Sequence, residues 1–398
     1  MADIKSFFKE KEQRRQDQDT YKDKIMQHKM ANLYRVLIVM ALIGCVAFFV
    51  FIQYKRHIYT TYDRIFTTER IKASDSKDLR LGNAVLTYSK DGAHCTDSKG
   101  NVTWNQTYEM QDIKVAQCQN VVAIANYNGR TIYVNSTTEQ LGQIDTPMPI
   151  RIMSVSANGT VSAVLADTDT TWINTYDAKG ELLYTGQTHM SNSGYPMAIS
   201  LSPNGEMLGV SYIYVDAGVI KTNVAFYNFG PVGANQSDYV VSVYSYPDLL
   251  VPEICFMDNQ TAFAVGDSRL MIYRGGQKPV LAGEFLYSEE VKSVFHSDKY
   301  VGLVFASDDM EHRYRLRVFD SSAREVGSYY FDMDYTDVIL NADNFVIYND
   351  RECMITTYGG KEKYKGTFDK TVNQMIPVAS SYRYVLVTDD SIDMIQLK

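Results

Sequence analysis

The chain has 398 residues and a formal net charge of −8, and this charge is unevenly divided along it. Residues 1–56 carry eleven Lys/Arg and six Asp/Glu, a net of +5, whereas residues 57–398 carry 28 and 41, a net of −13. An acidic domain does not suit binding to a phosphate backbone, so the sequence predicts no nucleic-acid partner. Thirty Tyr, abundant β-branched residues and only nine Pro favour strands after residue 57.

One apolar segment near the start of the chain is long enough to cross a membrane. Residues 36–52 form an unbroken apolar run, preceded by Arg35 and followed by Lys55 and Arg56, and about 20 residues suffice to span the hydrocarbon core. We therefore predict a transmembrane helix at residues 33–54. Residues 1–32 form a charged tail that is either a helix leading into the span or a solvated disordered segment.

Two other interpretations of the apolar segment fit less well. A cleavable secretory signal would have a short basic start, whereas this run is preceded by a long charged tail. Leu42-Ile43-Gly44-Cys45 matches a lipoprotein signal, but the apolar run continues past Cys45, where a mature lipoprotein should begin with a polar tether. Lys and Arg are nearly balanced on the two sides of the span, so charge does not decide its orientation. An uncleaved first span with a short tail favours a single-pass protein of the cell membrane, with residues 1–32 cytoplasmic and residues 55–398 outside.

A turn followed by an apolar, strand-like run recurs after residue 57 at intervals of roughly 40 to 55 residues, a period typical of propellers and solenoids. We count eight units; seven is the alternative, because the first unit and the long fourth one are the least regular. The runs begin at Leu81, Gln119, Ser156, Ser202, Met257, His296, Asn341 and Ser380.

Each unit is predicted to form four antiparallel strands, called a to d from the inside of the ring outward. The apolar run is strand b, a Tyr-, Phe- or Ile-rich strand c follows it, and a Gly-bearing turn leads to strand d. The sequence therefore predicts an all-β fold, a β-propeller of four-stranded blades. The last unit ends after its c strand, and residues 57–66 can supply the missing outer strand and close the ring.

Two turns resemble those of known propeller families. SPNGEMLGVSY, from Ser202, resembles the Ser-Pro-Asp-Gly turn of WD-repeat-like propellers. DSKGNVTW, with Asp97, Gly100 and Trp104, is similar to the Asp-x-x-Gly-x-x-x-Trp blade motif of quinoprotein-like propellers and is complete in one blade. The whole layout resembles an uncharacterised family of single-span, propeller-bearing membrane proteins from Gram-positive bacteria. This resemblance implies a membrane-anchored propeller and no particular activity.

The sequence holds none of the familiar patterns of catalytic or phosphate-binding residues. His94 and Cys95 are adjacent, but neighbouring side chains of a strand point to opposite faces and cannot share a metal. Four cysteines lie outside the predicted span, with no close-spaced pair among them, and are expected to be buried small hydrophobic residues. We therefore predict a protein that is not an enzyme, with no catalytic, cofactor or metal residues.

Charged residues divide between the two faces of the predicted propeller. One face carries the b-to-c turns and the d-to-a connections and is called the b–c face; the opposite one, with the c-to-d and a-to-b turns, is called the c–d face. Asp is common in turns, which explains acidic turns without a function but does not explain the Lys excess on the c–d face. We predict an acidic interaction surface of Asp167, Asp169, Asp267, Asp308, Asp309, Asp334, Asp350 and Asp389, and membrane-facing basic residues Lys99, Lys179, Lys278, Lys361 and Lys363.

The function favoured by these patterns is that of a membrane-anchored, extracytoplasmic interaction scaffold. Its basic c–d face would lie over the anionic lipid surface of the bilayer, and its acidic b–c face would point outward to a protein partner or ligand of the cell envelope. One alternative is a quinoprotein-like enzyme or cofactor binder that uses the channel mouth. Another is a transmembrane sensor that signals through residues 1–32.

Overall fold

The computed structural model describes residues 3–73, 75–166, 170–188, 194–378 and 382–398. It forms two compact units, Met1–Ile58 and Tyr59–Lys398. In the first unit a single helix, α1, runs from Asp3 to Arg56, so the charged tail takes the helical alternative. Asn32–Val50 is the part of α1 that is long and apolar enough to cross a membrane, and all of its residues are exposed.

The second unit is a propeller of eight four-stranded antiparallel sheets, as predicted, rather than seven. Each of the first seven blades is a meander of four consecutive strands, and two short 3-10 turns, Gly233–Asn235 and Ser237–Tyr239, precede β17. The strands of blades 1 to 4 are β2 (Lys77–Leu81), β3 (Ala84–Ser89), β4 (Gly92–Thr96), β5 (Val102–Thr107), β6 (Ile113–Cys118), β7 (Val121–Asn126), β8 (Thr131–Ser136), β9 (Gln140–Asp145), β10 (Ile150–Val155), β11 (Val161–Ala166), β12 (Thr171–Tyr176), β13 (Leu182–Thr188), β14 (Tyr195–Leu201), β15 (Met207–Asp216), β16 (Val219–Asn228) and β17 (Val240–Tyr246).

The eighth blade combines strands from the two ends of the second unit, in the order β1, β32, β31 and β30. The remaining strands are β1 (Tyr62–Glu69), β18 (Glu253–Phe256), β19 (Thr261–Val265), β20 (Arg269–Arg274), β21 (Val280–Leu286), β22 (Val291–His296), β23 (Tyr300–Ala306), β24 (Tyr314–Asp320), β25 (Glu325–Phe331), β26 (Asp337–Leu340), β27 (Asn344–Tyr348), β28 (Glu352–Thr357), β29 (Glu362–Thr367), β30 (Val372–Pro377), β31 (Arg383–Thr388) and β32 (Ser391–Leu397).

The burial of each strand follows its place in the blade. Strand β11 is a b strand, and all six of its residues are buried because both of its faces pack against neighbouring blades. A strand that is buried on both faces has a continuous apolar sequence, and such runs are the pattern from which the eight repeated units are predicted. Strand β5 lies on the outer rim, where four of its six residues are exposed and Trp104 packs inward.

The hydrophobic core is distributed around the ring in separate clusters, each shared by two neighbouring blades. In the cluster that joins the last blade to the first, Val85 of β3 packs with Val385 and Val387 of β31. Burying an aliphatic side chain of this size contributes about 1.5 to 3 kcal/mol to stability. Because the first and last blades share a core, the ring is closed by side-chain packing as well as by strand pairing.

Strand β1 is the outer strand of the eighth blade and pairs antiparallel with β32, from Tyr62 opposite Leu397 to Glu69 opposite Ser391. The closing strand is predicted at residues 57–66, whereas in the structure it begins at Tyr62 and ends at Glu69. Residues 60 and 61 instead bond to Lys398, whose carbonyl oxygen accepts the backbone N–H of Thr60 at 2.8 Å. The outer edge of β32 is thereby covered.

Candidate functional site

The chain joins the propeller at the c–d face. Tyr59, the first residue of the propeller unit, donates its backbone N–H to the carbonyl oxygen of Lys363 at 2.7 Å. Its ring centroid is 4.6 Å from that of Tyr382, in the a-to-b turn of the eighth blade. Strand β1 then runs from the c–d face to Glu69 on the b–c face. The two faces therefore differ, because the propeller unit begins on one of them and its first strand ends on the other.

The basic residues predicted for the c–d face fall into two groups. Lys99, Lys179 and Lys278 are exposed in c-to-d turns. Lys361 is partly buried, and Lys363 is only 3% exposed, with its Nζ 5.9 Å from the ring centroid of Tyr382. Lys363 is buried because Tyr59 and Tyr382 lie beside β29. Neither tyrosine belongs to the blade of Lys363, so the strand pattern of that blade alone does not predict the burial.

Two of the c-to-d turns pair the exposed lysine with an aspartate at the start of the turn, Asp97 with Lys99 and Asp177 with Lys179. Asp97 Oδ1 accepts the backbone N–H groups of Lys99 at 2.8 Å and Asn101 at 2.9 Å. Partial desolvation tends to raise the pKa of Asp97, but these backbone hydrogen bonds and the side-chain hydrogen bond from Asn101 outweigh it and lower the pKa. Gly100 adopts φ +86°, a conformation that suits glycine. The quinoprotein-like turn motif therefore has a structural role in this chain, and its carboxylate offsets part of the charge of Lys99.

Trp104, the last residue of the same motif, supports the contact between the first two blades. It is 7% exposed and donates its indole N–H to the carbonyl oxygen of Ser136 at 2.5 Å. Its packing partners include Leu86 and Val122. The motif therefore does not line a cofactor pocket in this blade.

The acidic residues predicted for the b–c face lie on that face wherever the structure describes them. Asp267, Asp308, Asp334, Asp350 and Asp389 are exposed, and Asp309 is partly buried. Asp167 and Asp169 fall outside the described residues.

Many of the carboxylates on the b–c face are paired with cations that the sequence analysis did not assign. Arg313 Nη2 lies 2.8 Å from Asp334, and Lys72 Nζ lies 3.0 Å from Asp389. Weaker contacts join Arg315 to Asp308 at 3.6 Å and Arg351 to Asp350 at 3.7 Å. These pairs offset much of the acidic charge predicted for the sixth, seventh and eighth blades.

A less compensated acidic cleft lies between the fifth and sixth blades. It has a volume of about 380 Å³ and is lined by Glu253, Asp267 and Glu290, together with Lys292 and apolar residues. Lys292 is held by Glu290 at 2.6 Å. Within the described residues no hydrogen bond or ion pair reaches the carboxylate of Glu253, and burial raises its pKa. The cleft can therefore accept a cationic group.

Apolar side chains also project from the b–c face, and the sequence analysis missed them. Met310, in the turn between β23 and β24, and Ile71, between β1 and β2, are essentially fully exposed. Val215, Val219 and Ile220 at the tip of the β15–β16 hairpin are each more than half exposed. The sequence does indicate a long hairpin here, because strand-forming residues continue without interruption on both sides of Ala217-Gly218. Exposed apolar groups that adjoin one another, as Val215 and Ile220 do at this tip, are typical of interaction surfaces.

The residues that could carry redox or metal chemistry do not form a reactive group. No cluster of three His, Cys, Asp or Glu suited to a metal occurs in the described part of the chain. Cys255 Sγ lies 3.4 Å from His296 Nε2, but burial raises the pKa of Cys255 to about 12 and lowers that of His296. The Cys255 thiol is therefore neutral near pH 7, and the pair does not provide a thiolate nucleophile.

Solved structures with a similar fold are propellers of low sequence identity. BamB from Moraxella catarrhalis shares 11% identity at a TM-score of 0.50, covering 85% of this chain and 100% of its own. Sqt1 from Chaetomium thermophilum, in a structure with the N-terminus of ribosomal protein L10, shares 13% identity at a TM-score of 0.52 with the same coverage. These similarities establish the propeller fold.

Comparison with curated proteins finds no match by sequence. A family model, in contrast, matches the whole propeller and the residues that lead into it, residues 54–397. The chain thus belongs to the family of unknown function DUF5711.

Proposed function

We propose that this protein is a non-enzymatic scaffold of the cell envelope, anchored in the membrane by the apolar part of α1, with its propeller outside. The b–c face docks a protein partner, and the c–d face is turned toward the lipid. Residues 1–32 are cytoplasmic. The observation that carries the proposal is the position of Tyr59, because the chain arrives from α1 at the face opposite the exposed apolar and acidic side chains.

The connection between the two units supports this orientation. Only residues 51–58 separate the apolar stretch Asn32–Val50 from the propeller. This link of eight residues enters the propeller unit at Tyr59, on the c–d face. Lys99, Lys179 and Lys278 on the c–d face would then approach anionic headgroups, each contributing roughly 1 kcal/mol when close to the surface. Lys361 is partly buried and contributes less, and Lys363 is not available.

The fold also supports protein docking. Propellers present a rigid ring of turns on which binding residues are readily placed. Sqt1, which has a similar fold, is bound to the N-terminus of ribosomal protein L10 in its structure, so a protein of this fold can bind a protein terminus. On this chain, the exposed apolar groups Ile71 and Met310 and the cleft at Glu253 lie on the b–c face.

Photocrosslinking in intact cells tests the proposal. A photoreactive amino acid would replace Met310 on the b–c face or Lys278 on the c–d face of the full-length protein. We expect position 310 to give a discrete protein adduct and position 278 to give lipid adducts. The same protein adduct from both positions would contradict the assignment of the faces.

Topology is tested separately, by adding a protease to cells whose wall has been removed. The propeller should be degraded while a tag on residue 1 is protected. Protection of the propeller, with loss of the tag, would contradict its placement outside the membrane.

A further inference from the structure

The fourth blade carries a hairpin that extends past the rest of the blade. β15 and β16 each have ten residues and pair from Met207 to Asp216 and from Val219 to Asn228. β14 accompanies β15 only as far as Ile213, and β17 accompanies β16 only from Thr222. Residues 214–216 and 219–221 therefore form a two-stranded ribbon about 10 Å long, at a rise of about 3.3 Å per residue.

The two faces of this ribbon differ in chemistry. Val215 lies directly opposite Ile220, and side chains that are directly opposite share one face of a sheet. These two residues are 63% and 56% exposed. The other face carries Tyr214 and Val219 as well as Asp216 and Lys221, whose side chains form an ion pair at 2.7 Å. The ribbon thus presents an apolar face to solvent, and its opposite face is fixed by an ion pair.

The edges of the ribbon are also open as far as the described residues go. In the described part of the chain, no strand pairs with the outer edge of residues 214–216 or of residues 219–221. An open edge presents unpaired backbone N–H and C=O groups, and the group that satisfies them best is another extended backbone. The ribbon therefore has both the polar and the apolar features needed to receive a β-strand.

The fifth blade, which forms the acidic cleft together with the sixth, packs against the stem of this hairpin. Ser211 of β15 donates its hydroxyl to the carbonyl oxygen of Val251 at 2.6 Å. Val251 lies two residues before Glu253, whose carboxylate lines the cleft. A partly desolvated carboxylate that has no partner among the described residues is stabilised in its charged form by an incoming cation. The apolar ribbon and a cation-accepting group are thus held on neighbouring blades.

We propose that the ribbon and the Glu253 cleft together bind an extended segment of a partner protein in which apolar side chains alternate with Lys or Arg. The segment adds as a strand to a ribbon edge, its apolar side chains continue the face of Val215 and Ile220, and a basic side chain enters the cleft. This inference rests on the proposed function, because it gives the chemistry of the partner that the b–c face docks.

The test uses the full-length protein in nanodiscs and three synthetic peptides of about ten residues, enough to cover an edge strand of ordinary length. One alternates Val with Lys, the second alternates Ser with Lys, and the third alternates Val with Glu. We expect the Val–Lys peptide to bind about tenfold more tightly than either of the others, a difference of about 1.4 kcal/mol. Equal binding of the Val–Lys and Ser–Lys peptides would overturn the proposal, because charge alone would then explain it.

Variants assign the binding to the site. V215S/I220S should weaken binding of the Val–Lys peptide about tenfold, and E253Q should weaken binding of the same peptide several-fold. The matched controls are L182S/L183S, which removes apolar groups of similar exposure from β13, and E181Q, which removes an exposed carboxylate on the c–d face. Equal losses in the control variants, or none in the site variants, would overturn the proposal.

Two other occupants would appear as distinct outcomes. A dimer that V215S/I220S abolishes would show that the ribbon binds a second copy of the chain. Retention on empty phosphatidylcholine vesicles that the same variant abolishes would show that it binds lipid. Either result would overturn the proposal. If the peptides fail to bind but position 310 still gives the same protein adduct, this inference is wrong and the proposed scaffold function is unaffected.

Discussion

Arg64 and Asp393 form an ion pair across the junction that closes the ring, with 3.2 Å between Nε and Oδ2 and 329 positions between them in the sequence. Arg64 belongs to β1 and Asp393 to β32. The Asp393 side chain is 2% exposed, and its other oxygen, Oδ1, has no hydrogen-bond partner in the described residues. Arg64 also binds Asp369, between the seventh and eighth blades. One side chain therefore joins the closing strand to its own blade and to the neighbouring one.

Replacing Arg64 by Ala should loosen the closing strand. The substitution leaves the Asp393 carboxylate buried without a cation, and removal of one partner of a buried pair costs about 3 to 5 kcal/mol. Since the Arg64 side chain is 34% exposed, we expect a smaller loss, about 2 kcal/mol in the free energy of unfolding. Cys353, which packs in the same cluster as Tyr62, should become more reactive toward a thiol reagent in denaturant titrations.

The control for Arg64 is Arg351→Ala, because the Arg351 side chain is 85% exposed and its contact with Asp350 is long, at 3.7 Å. It should change stability by less than about 0.5 kcal/mol. Equal labelling of Cys353 in both variants would show that the Arg64 pairs do not hold the strand.

The bond between Arg64 and Asp369 should make stability depend on pH. The Arg64 side chain lowers the pKa of Asp369 to about 2, below the usual aspartate value of about 4. A lowered pKa in the folded state gives stability that is fully present above the unfolded-state pKa and is lost as pH falls toward 2. Because the Asp369 side chain is 54% exposed, this contribution is modest.

We therefore expect the difference in unfolding free energy between the wild type and Asp369→Asn to be constant from pH 7 to 5 and to shrink below about pH 4. Urea titrations of both proteins at each pH measure it. A difference that grew toward low pH would contradict the role assigned to the carboxylate.

Asp78 should be the most sensitive carboxylate of the first blade. Its side chain is 1% exposed and accepts hydrogen bonds from Arg70 at 2.9 Å and Thr87 at 2.7 Å. Asn373 of the last blade donates to its second oxygen at 3.2 Å. Asp78→Ala leaves the Arg70 cation buried without this partner, so we expect a loss of about 3 kcal/mol. The matched control, Asp91→Ala, alters an exposed turn residue and should be nearly neutral.

Thermal unfolding of these two variants gives the comparison. Asp78 also holds the segment between β1 and β2 through Arg70, so Asp78→Ala should speed proteolysis of residues 70–73. Unchanged proteolysis together with wild-type stability would show that the buried network is dispensable.

The sequence identified the parts of the fold that depend on local patterns. Buried b strands such as β11 are continuous apolar runs, and turn residues such as Gly100 mark the hairpins, so the period and the number of blades could be predicted. The closing strand followed from the missing outer strand of the last unit. Its bounds shifted because the pairing with β32, rather than local propensity, decides where β1 begins.

The electrostatics of the faces depended on contacts between distant residues and could not be predicted. Lys72 neutralises Asp389 across 317 positions. Lys363 is buried by Tyr59 and Tyr382, which arrive from opposite ends of the propeller unit. Turn positions therefore predicted on which face each charge lies, but not whether it has a partner or is exposed.

The proposed lipid-facing surface should respond to lipid charge. A fluorescent label at position 278, on the c–d face, should be quenched by lipid-attached quenchers more strongly in nanodiscs with anionic lipid than in zwitterionic ones. K99E/K179E should remove that difference, because two attractive charges become repulsive. A label at position 350, on the b–c face, serves as the control and should be quenched weakly in both lipids. Stronger quenching at 350 than at 278 would reverse the proposed orientation, and quenching at 278 that ignored lipid charge would exclude an electrostatic role for these lysines.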